Sequence, residues 1–233
     1  MYYCMAKVAE MRLQNVKGYA MFSDDFIYNP WHPFDRSVAN MGFRAPGYGP
    51  WWPNAQFGIV AANRTIALIK DKYYDRPDVV KFMAQYRAVL PSLNVSIGGR
   101  AITDPLEHMN IPDGWIVSDW VYLPATNLTF VQTFAQLMFE GGLFHELFFG
   151  KTMYLIPHKL YDAYVPNGVM SIWGSDRHKW AEKYTPHYVG LHPIKMSQFE
   201  APANKKTYCD SVLTHFHMHL FGETSDGNGT IVG

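Results

Sequence analysis

Hydrophobic and polar positions change their spacing several times along this chain, and the changes mark its predicted elements. Ile59, Ala62, Ile66, Ile69 and Tyr73 recur at the helical period. Asn54, directly after Pro53, is placed to cap that run, so a helix is predicted over 55–73. Val79, Phe82, Met83, Tyr86 and Leu90 share a second helical face, with Pro77 suited to the first turn and Pro91 as the stop. Only Tyr74, Asp75 and Arg76 separate the two runs, a length that predicts an antiparallel helical hairpin of 55–73 and 77–90. Met5, Val8 and Met11 suggest a short helix within 3–17.

Further along, Phe130, Phe134, Leu137 and Met138 sit at i, i+4, i+7 and i+8. They predict an apolar helix at about 127–140, capped by Thr126 or Asn127 and ended by Gly141-Gly142. Leu143, Phe144, Leu147 and Phe148 carry the apolar character on to Gly150. The stretch from Trp120 to Phe139 is 20 residues without a charge, the length of a membrane span. It holds Pro124, Asn127, Gln132 and Gln136, and Glu140 and Glu146 follow. A carboxylate at mid-bilayer costs about 2.5–3.5 kcal/mol. A helix buried in protein is therefore the reading, with peripheral lipid contact left open. Trp115 to Leu123 reads as a strand broken by Pro124.

Between these elements lies a segment of different character. Residues 19–53 hold Pro30, Pro33, Pro46, Pro50 and Pro53 together with Trp31, Phe34, Tyr48, Trp51 and Trp52. Proline spacing of this kind excludes a long helix or a central strand. Disordered linkers are poor in aromatic residues, so the segment reads as an ordered, irregular arm that packs on a surface. The fold expected is mainly α with irregular extended segments and a few short β-strands, in one domain of residues 1–233.

Composition sharpens the expectation of covered surface. Charged residues are 17% of the chain and aromatic residues 16%, against about 25% charged in typical proteins. Aromatic residues and Met, of which there are 12, are enriched in interface cores. The interface expected comprises Trp31, Phe34, Tyr48, Trp51, Trp52, Phe134, Phe144 and Phe148. Lys+Arg equals Asp+Glu and no long basic run occurs, which argues against nucleic acid as a partner. Cys4 and Cys209 read as two buried thiols, with a single bridge between them as the alternative. The N-terminus lacks a basic segment leading into an apolar core, so secretion is not expected. The sequons at Asn63, Asn94, Asn127 and Asn228 are accordingly read as coincidental.

The sharpest candidate chemistry is His215-Phe-His217-Met-His219, followed by Glu223. As a strand, it places the three imidazoles on one face, where they can ligate zinc or iron. The pattern His217-x-His219-x-x-x-Glu223 is similar to the first metal motif of cupins, and the His-Phe-His string resembles the two-histidine strand of α-type carbonic anhydrases. Each resemblance covers under ten residues, and no histidine follows His219 to complete either ligand set. As a helix, Cys209, Val212, Leu213, Phe216 and Leu220 form one apolar stripe ending at Gly222, and His215 and His219 share a face. The twelve-residue period favours the helix. His145-Glu146 near Glu140 lacks the Glu-x-x-His spacing of di-metal carboxylate bundles. No P-loop, nucleophile elbow or His-Glu-x-x-His motif occurs.

These features point to a non-catalytic accessory subunit of a large membrane-associated complex, mitochondrial by preference and cytoplasmic as the alternative. Its partners would be other protein subunits. A metal-dependent protein using the histidine cluster and a small-molecule binding domain are the competing expectations.

Overall fold

A computed structural model describes residues 2–42, 44–45, 56–111, 115–116, 119–172, 177, 179–194 and 202–222. In chain order the elements are α1 (Tyr2–Glu10), β1 (Gly18–Phe22), β2 (Ile27–Tyr28), β3 (Ala39–Met41), β4 (Arg44–Ala45) and α2 (Ile59–Ala67). A π-helical turn, Leu68–Lys72, prolongs α2. Next come α3 (Pro77–Val89), β5 (Ser96–Ile97), β6 (Arg100–Ala101), α4 (Pro105–Met109), β7 (Trp115–Ile116), β8 (Trp120–Pro124), α5 (Ala125–Gly141) and α6 (His145–Met153). The chain continues with β9 (His158–Leu160), β10 (Val169–Ser171), α7 (Trp180–Lys183), β11 (Gly190–His192), α8 (Pro202–Tyr208) and α9 (Thr214–Phe221). The fold is thus mixed α/β, with several small sheets beside the helices, rather than mainly α. Two compact units are present: Met1–Met21 with Asp35–Leu160, and Phe22–Phe34 with Tyr161–Gly233.

In the first unit the helices gather around α5. Helices α1, α2 and α3 each pack against it, so α2 and α3 meet α5 rather than principally one another. Phe134 of α5 is 0% exposed and lies among Phe82, Tyr86 and Phe148, with ring centroids 5.1, 6.1 and 5.5 Å away. Close approach of α2 depends on Gly141: a Cβ there would lie 2.0 Å from Thr65 Oγ1. Gly142 follows in the left-handed region, φ 83°, and ends the helix. Helix α5 begins directly at Pro124 without a side-chain cap, so neither Thr126 nor Asn127 caps it. The amide of Ala125 donates instead to the Lys17 carbonyl at 3.0 Å.

The sheet of this unit has the order β1-β8-β3-β9, with β3 antiparallel to β8 and parallel to β9. This corrects the expectation that 19–53 holds no central strand. No proline lies between Pro33 and Pro46, so Ala39–Met41 keeps its amides and pairs on both edges. The run from Trp115 is two strands, not one: β7 pairs antiparallel with β4, and β8 enters the larger sheet, buried along its length. Helix α2 starts at Ile59 with Gly58 at its N-cap; Asn54 lies outside the described residues.

The second unit has a three-stranded sheet, β10-β11-β2, and a core of Ile27, Ile172, Trp180, Leu191, Ile194 and Val212. Its loops are tied by Asn29, which is 0% exposed. Asn29 Nδ2 donates to the carbonyls of Tyr188 (2.8 Å) and Thr185 (3.4 Å), and its Oδ1 accepts from the Tyr184 hydroxyl at 2.9 Å. Cys4 and Cys209 are both free and exposed, not buried thiols. Among the described residues, no helix is long and apolar enough to cross a membrane.

Candidate functional site

The titratable group that stands out lies at the start of α6. This helix opens after Phe144 with His145 and Glu146. Glu146 is pushed up to about 8, first by burial and second by the negative charge of Asp119. Asp119 is itself only 6% exposed and sits just ahead of β8. A carboxylate in the first turn of a helix is normally favoured by the macrodipole. Here loss of solvation outweighs that effect, and Glu146 is mostly protonated at neutral pH. A carboxyl group held protonated by burial and by a neighbouring negative charge is a candidate for general acid–base chemistry.

Lys151, farther along α6, is buried as well. Its ammonium donates to the carbonyl oxygens of His108 (3.0 Å) and Ile111 (2.5 Å). The His108 ring in turn meets the Tyr86 hydroxyl at 2.6 Å. Lys151 therefore fixes α6 to α4 and the segment after it. Placement of Glu146 is set by that anchor on one side and by the burial of Phe148 and Phe149 on the other.

The histidine cluster takes the helical form. Helix α8, a π-helical turn at Cys209–Leu213 and α9 run continuously from Pro202 to Phe221, which excludes the strand reading. His215 and His219 share a face with ring centroids 6.5 Å apart. His217 turns instead to Phe221, at 4.9 Å. Among the described residues the three histidines do not bring three ligand atoms together. Glu223 lies outside the described residues. His219 stacks on Trp31 at 4.5 Å, and Phe216 meets the same indole edge-on at 5.3 Å. The His215 ring is held below its ordinary pKa by burial, then by His219 and His187.

The aromatic residues expected at an interface are dispersed. Phe134 and Phe148 are in the core of the first unit, buried by this chain itself. Phe144 is half-buried, its ring 4.2 Å from that of His145. Trp31 is half-buried and donates from Nε1 to the Pro186 carbonyl at 2.9 Å; Phe34 is half-buried too. Tyr48, Trp51 and Trp52 lie outside the described residues. The Asp119–Glu146 pair was not legible as a site. Sequence proximity associates Glu146 with Glu140, but both Glu140 oxygens are taken, by Lys72 at 2.5 Å and the Tyr73 hydroxyl at 2.6 Å.

Comparison with known proteins supplies the remaining constraint. A family model of STELLO glycosyltransferases matches residues 1–96. The matched stretch is less than half of the 233 residues. It runs from α1 through α3 to the first residue of β5, and Asp119 and Glu146 lie beyond it. No curated protein and no solved structure matches the chain. Similarity to glycosyltransferases overturns the expectation of a non-catalytic, mitochondrial accessory subunit. Low charge and abundant aromatic residues suggested covered surface, yet a chain that buries Phe82, Phe134, Phe148, Phe149 and Trp120 in its own interior accounts for part of that composition.

Proposed function

We propose that this chain carries glycosyltransferase activity, moving a sugar from an activated phosphate-linked donor to an acceptor hydroxyl. The family match over residues 1–96 carries the reading. The Asp119–Glu146 pair supports it by supplying a group suited to the proton transfer. In such a transfer the acceptor oxygen bonds to the anomeric carbon while the bond from that carbon to the donor phosphate oxygen breaks. The acceptor's proton must leave, and the ionised Glu146 carboxylate takes it. A carboxyl group raised to about 8 is a stronger base than an ordinary carboxylate, and general-base catalysis contributes typically 10²–10⁴-fold. Burial first, and then the charge of Asp119, keep Glu146 basic.

Purified protein incubated with a panel of radiolabelled nucleotide sugars and mixed acceptor glycans tests this reading. Labelled product is expected with at least one donor, at a rate that rises as pH passes through about 8. Glu146→Gln should lower kcat roughly 10²-fold or more. Absence of turnover with every donor would sink the proposal.

A further inference from the structure

A second feature of the first unit has the chemistry of a ligand site. Asn63, Ile66 and Lys70 stand at i, i+3 and i+7 on α2 and its π-helical extension, along one stripe. Opposite them lie α4, which packs on α2, and the β5–β6 hairpin. Together they enclose an open groove of about 460 Å³, within the size range of small-molecule sites. Its apolar lining is Ile66, Ile97, Leu106 and Ile111. Ile97 is 49% exposed, an apolar side chain open to a ligand. π-Helical turns within α-helices are frequent at functional sites.

The polar lining narrows the ligand. Asp104 and Glu107 are committed: Asp104 Oδ1 accepts from the Leu106 amide at 3.0 Å, and Glu107 receives both ends of the Arg100 guanidinium. By contrast, the side chains of Asn63, Lys70 and Asn110 make no hydrogen bond among the described residues. The groove therefore offers two amides and one ammonium above an aliphatic floor. Among the described lining residues Lys70 is the one cation, beside Asp104 and the Arg100-paired Glu107, so an anion meets no excess positive charge. Among the described residues that line the groove, none carries an aromatic ring to stack on a nucleobase. A neutral polyhydroxyl ligand satisfies both halves, its hydroxyls on the amides and its C–H faces on the isoleucines. At one side of the groove, the Ile111 carbonyl accepts from Lys151 of α6, the helix that carries Glu146.

We propose that this groove binds a neutral carbohydrate, the acceptor glycan of the transfer proposed above. That assignment of role rests on the glycosyltransferase reading, whereas sugar binding itself does not. The test uses the full chain made in a host without N-glycosylation, so that Asn63 carries no glycan. Glucose, galactose, mannose, xylose and arabinose, with their di- and trisaccharides, are titrated by saturation-transfer NMR and calorimetry. Inorganic phosphate serves as the anionic probe. Saturable binding of at least one sugar is expected. It should weaken about tenfold or more in the N63A/N110A double variant, as loss of two hydrogen-bonding side chains implies. Both residues are exposed, so the variant should keep the parent melting temperature. A milder pair, Asn63→Ser and Asn110→Ser, covers the case in which it does not. The proposal is overturned if no sugar binds, if binding survives the variants, or if phosphate binds in the groove. Sugar binding lost in the variants, with no transfer by the parent, would support the groove and sink the glycosyltransferase reading. Transfer by the parent with an unchanged acceptor KM in the variants would do the reverse.

Discussion

The two units of this chain are held together in different ways. The first organises helices around a long central one, and its interior is aromatic and aliphatic, from Tyr2 and Phe82 to Phe134 and Phe148. Among the described residues the second has a smaller buried cluster, of six apolar side chains, and its loops are fastened by polar ties from Asn29, Trp31 and His32. Apolar burial is non-directional and scales with area, so the first unit gains from every side chain it covers. Hydrogen bonds contribute less each, about 0.5–1.5 kcal/mol net, but leaving a buried partner unsatisfied is costly. The second unit should therefore be sensitive to a few polar residues, and the first to volume.

The largest effect should come from Phe134→Ala, which removes the ring shared by Phe82, Tyr86 and Phe148. A loss of about 3–5 kcal/mol is expected, read by urea denaturation. A loss under about 1 kcal/mol would mean that the first unit does not depend on this packing. Next is Asn29→Ala, which leaves two carbonyls and the Tyr184 hydroxyl without their partner. We expect about 1–3 kcal/mol. Amide exchange should be faster within 22–34 and 185–190 while 125–141 keeps its protection; equal changes in both regions would erase the distinction between the units.

Two smaller effects are set by pH. Glu146 has a raised pKa, so folding favours its protonated form; its contribution is full below the ordinary glutamate range and is lost as pH rises through about 8. Glu146→Gln should remove that decline, giving about 1 kcal/mol, roughly 2–4 °C in Tm, at alkaline pH. A Tm–pH curve unchanged by the substitution would contradict the buried pair. His215 has the opposite sign of effect. Its pKa is lowered by burial and by His219 and His187, so its contribution is present above about pH 6.5 and fades as pH falls through the lower folded value. His215→Gln should flatten the acid side of the melting curve of the second unit by a degree or so. A steeper acid limb in the variant would rule this out.

The local elements that could be read from the sequence are those fixed by neighbouring residues. Pro77 opens α3, and Val79, Phe82 and Tyr86 bury one face. Gly142 and Gly222 end their helices in the left-handed region, where a side chain is disfavoured. The stripe through Val212 and Phe216 was periodic enough to favour a helix over a strand. What could not be read is what each face meets. The spacing of 55–73 and 77–90 implies a pair packed together, but both helices pack on α5, which α2 approaches closely at Gly141. The central position of β3 depends on β8 and β9, which are remote in sequence.

The candidate site follows the same division. Its residue types are ordinary, an aspartate and a glutamate in separate segments, with no motif spacing to connect them. By itself the sequence determined the helix stops at Gly142 and Gly222, the start of α3 at Pro77, the lack of a long basic run and the similarity of residues 1–96 to glycosyltransferases. Only the tertiary structure decided that Glu146 is partly buried and feels the charge of Asp119, that Glu140 is taken by Lys72 and Tyr73, and that His217 turns to Phe221. Periodicity and caps are local properties of the backbone, whereas acidity depends on solvation and on charges that long-range packing brings near.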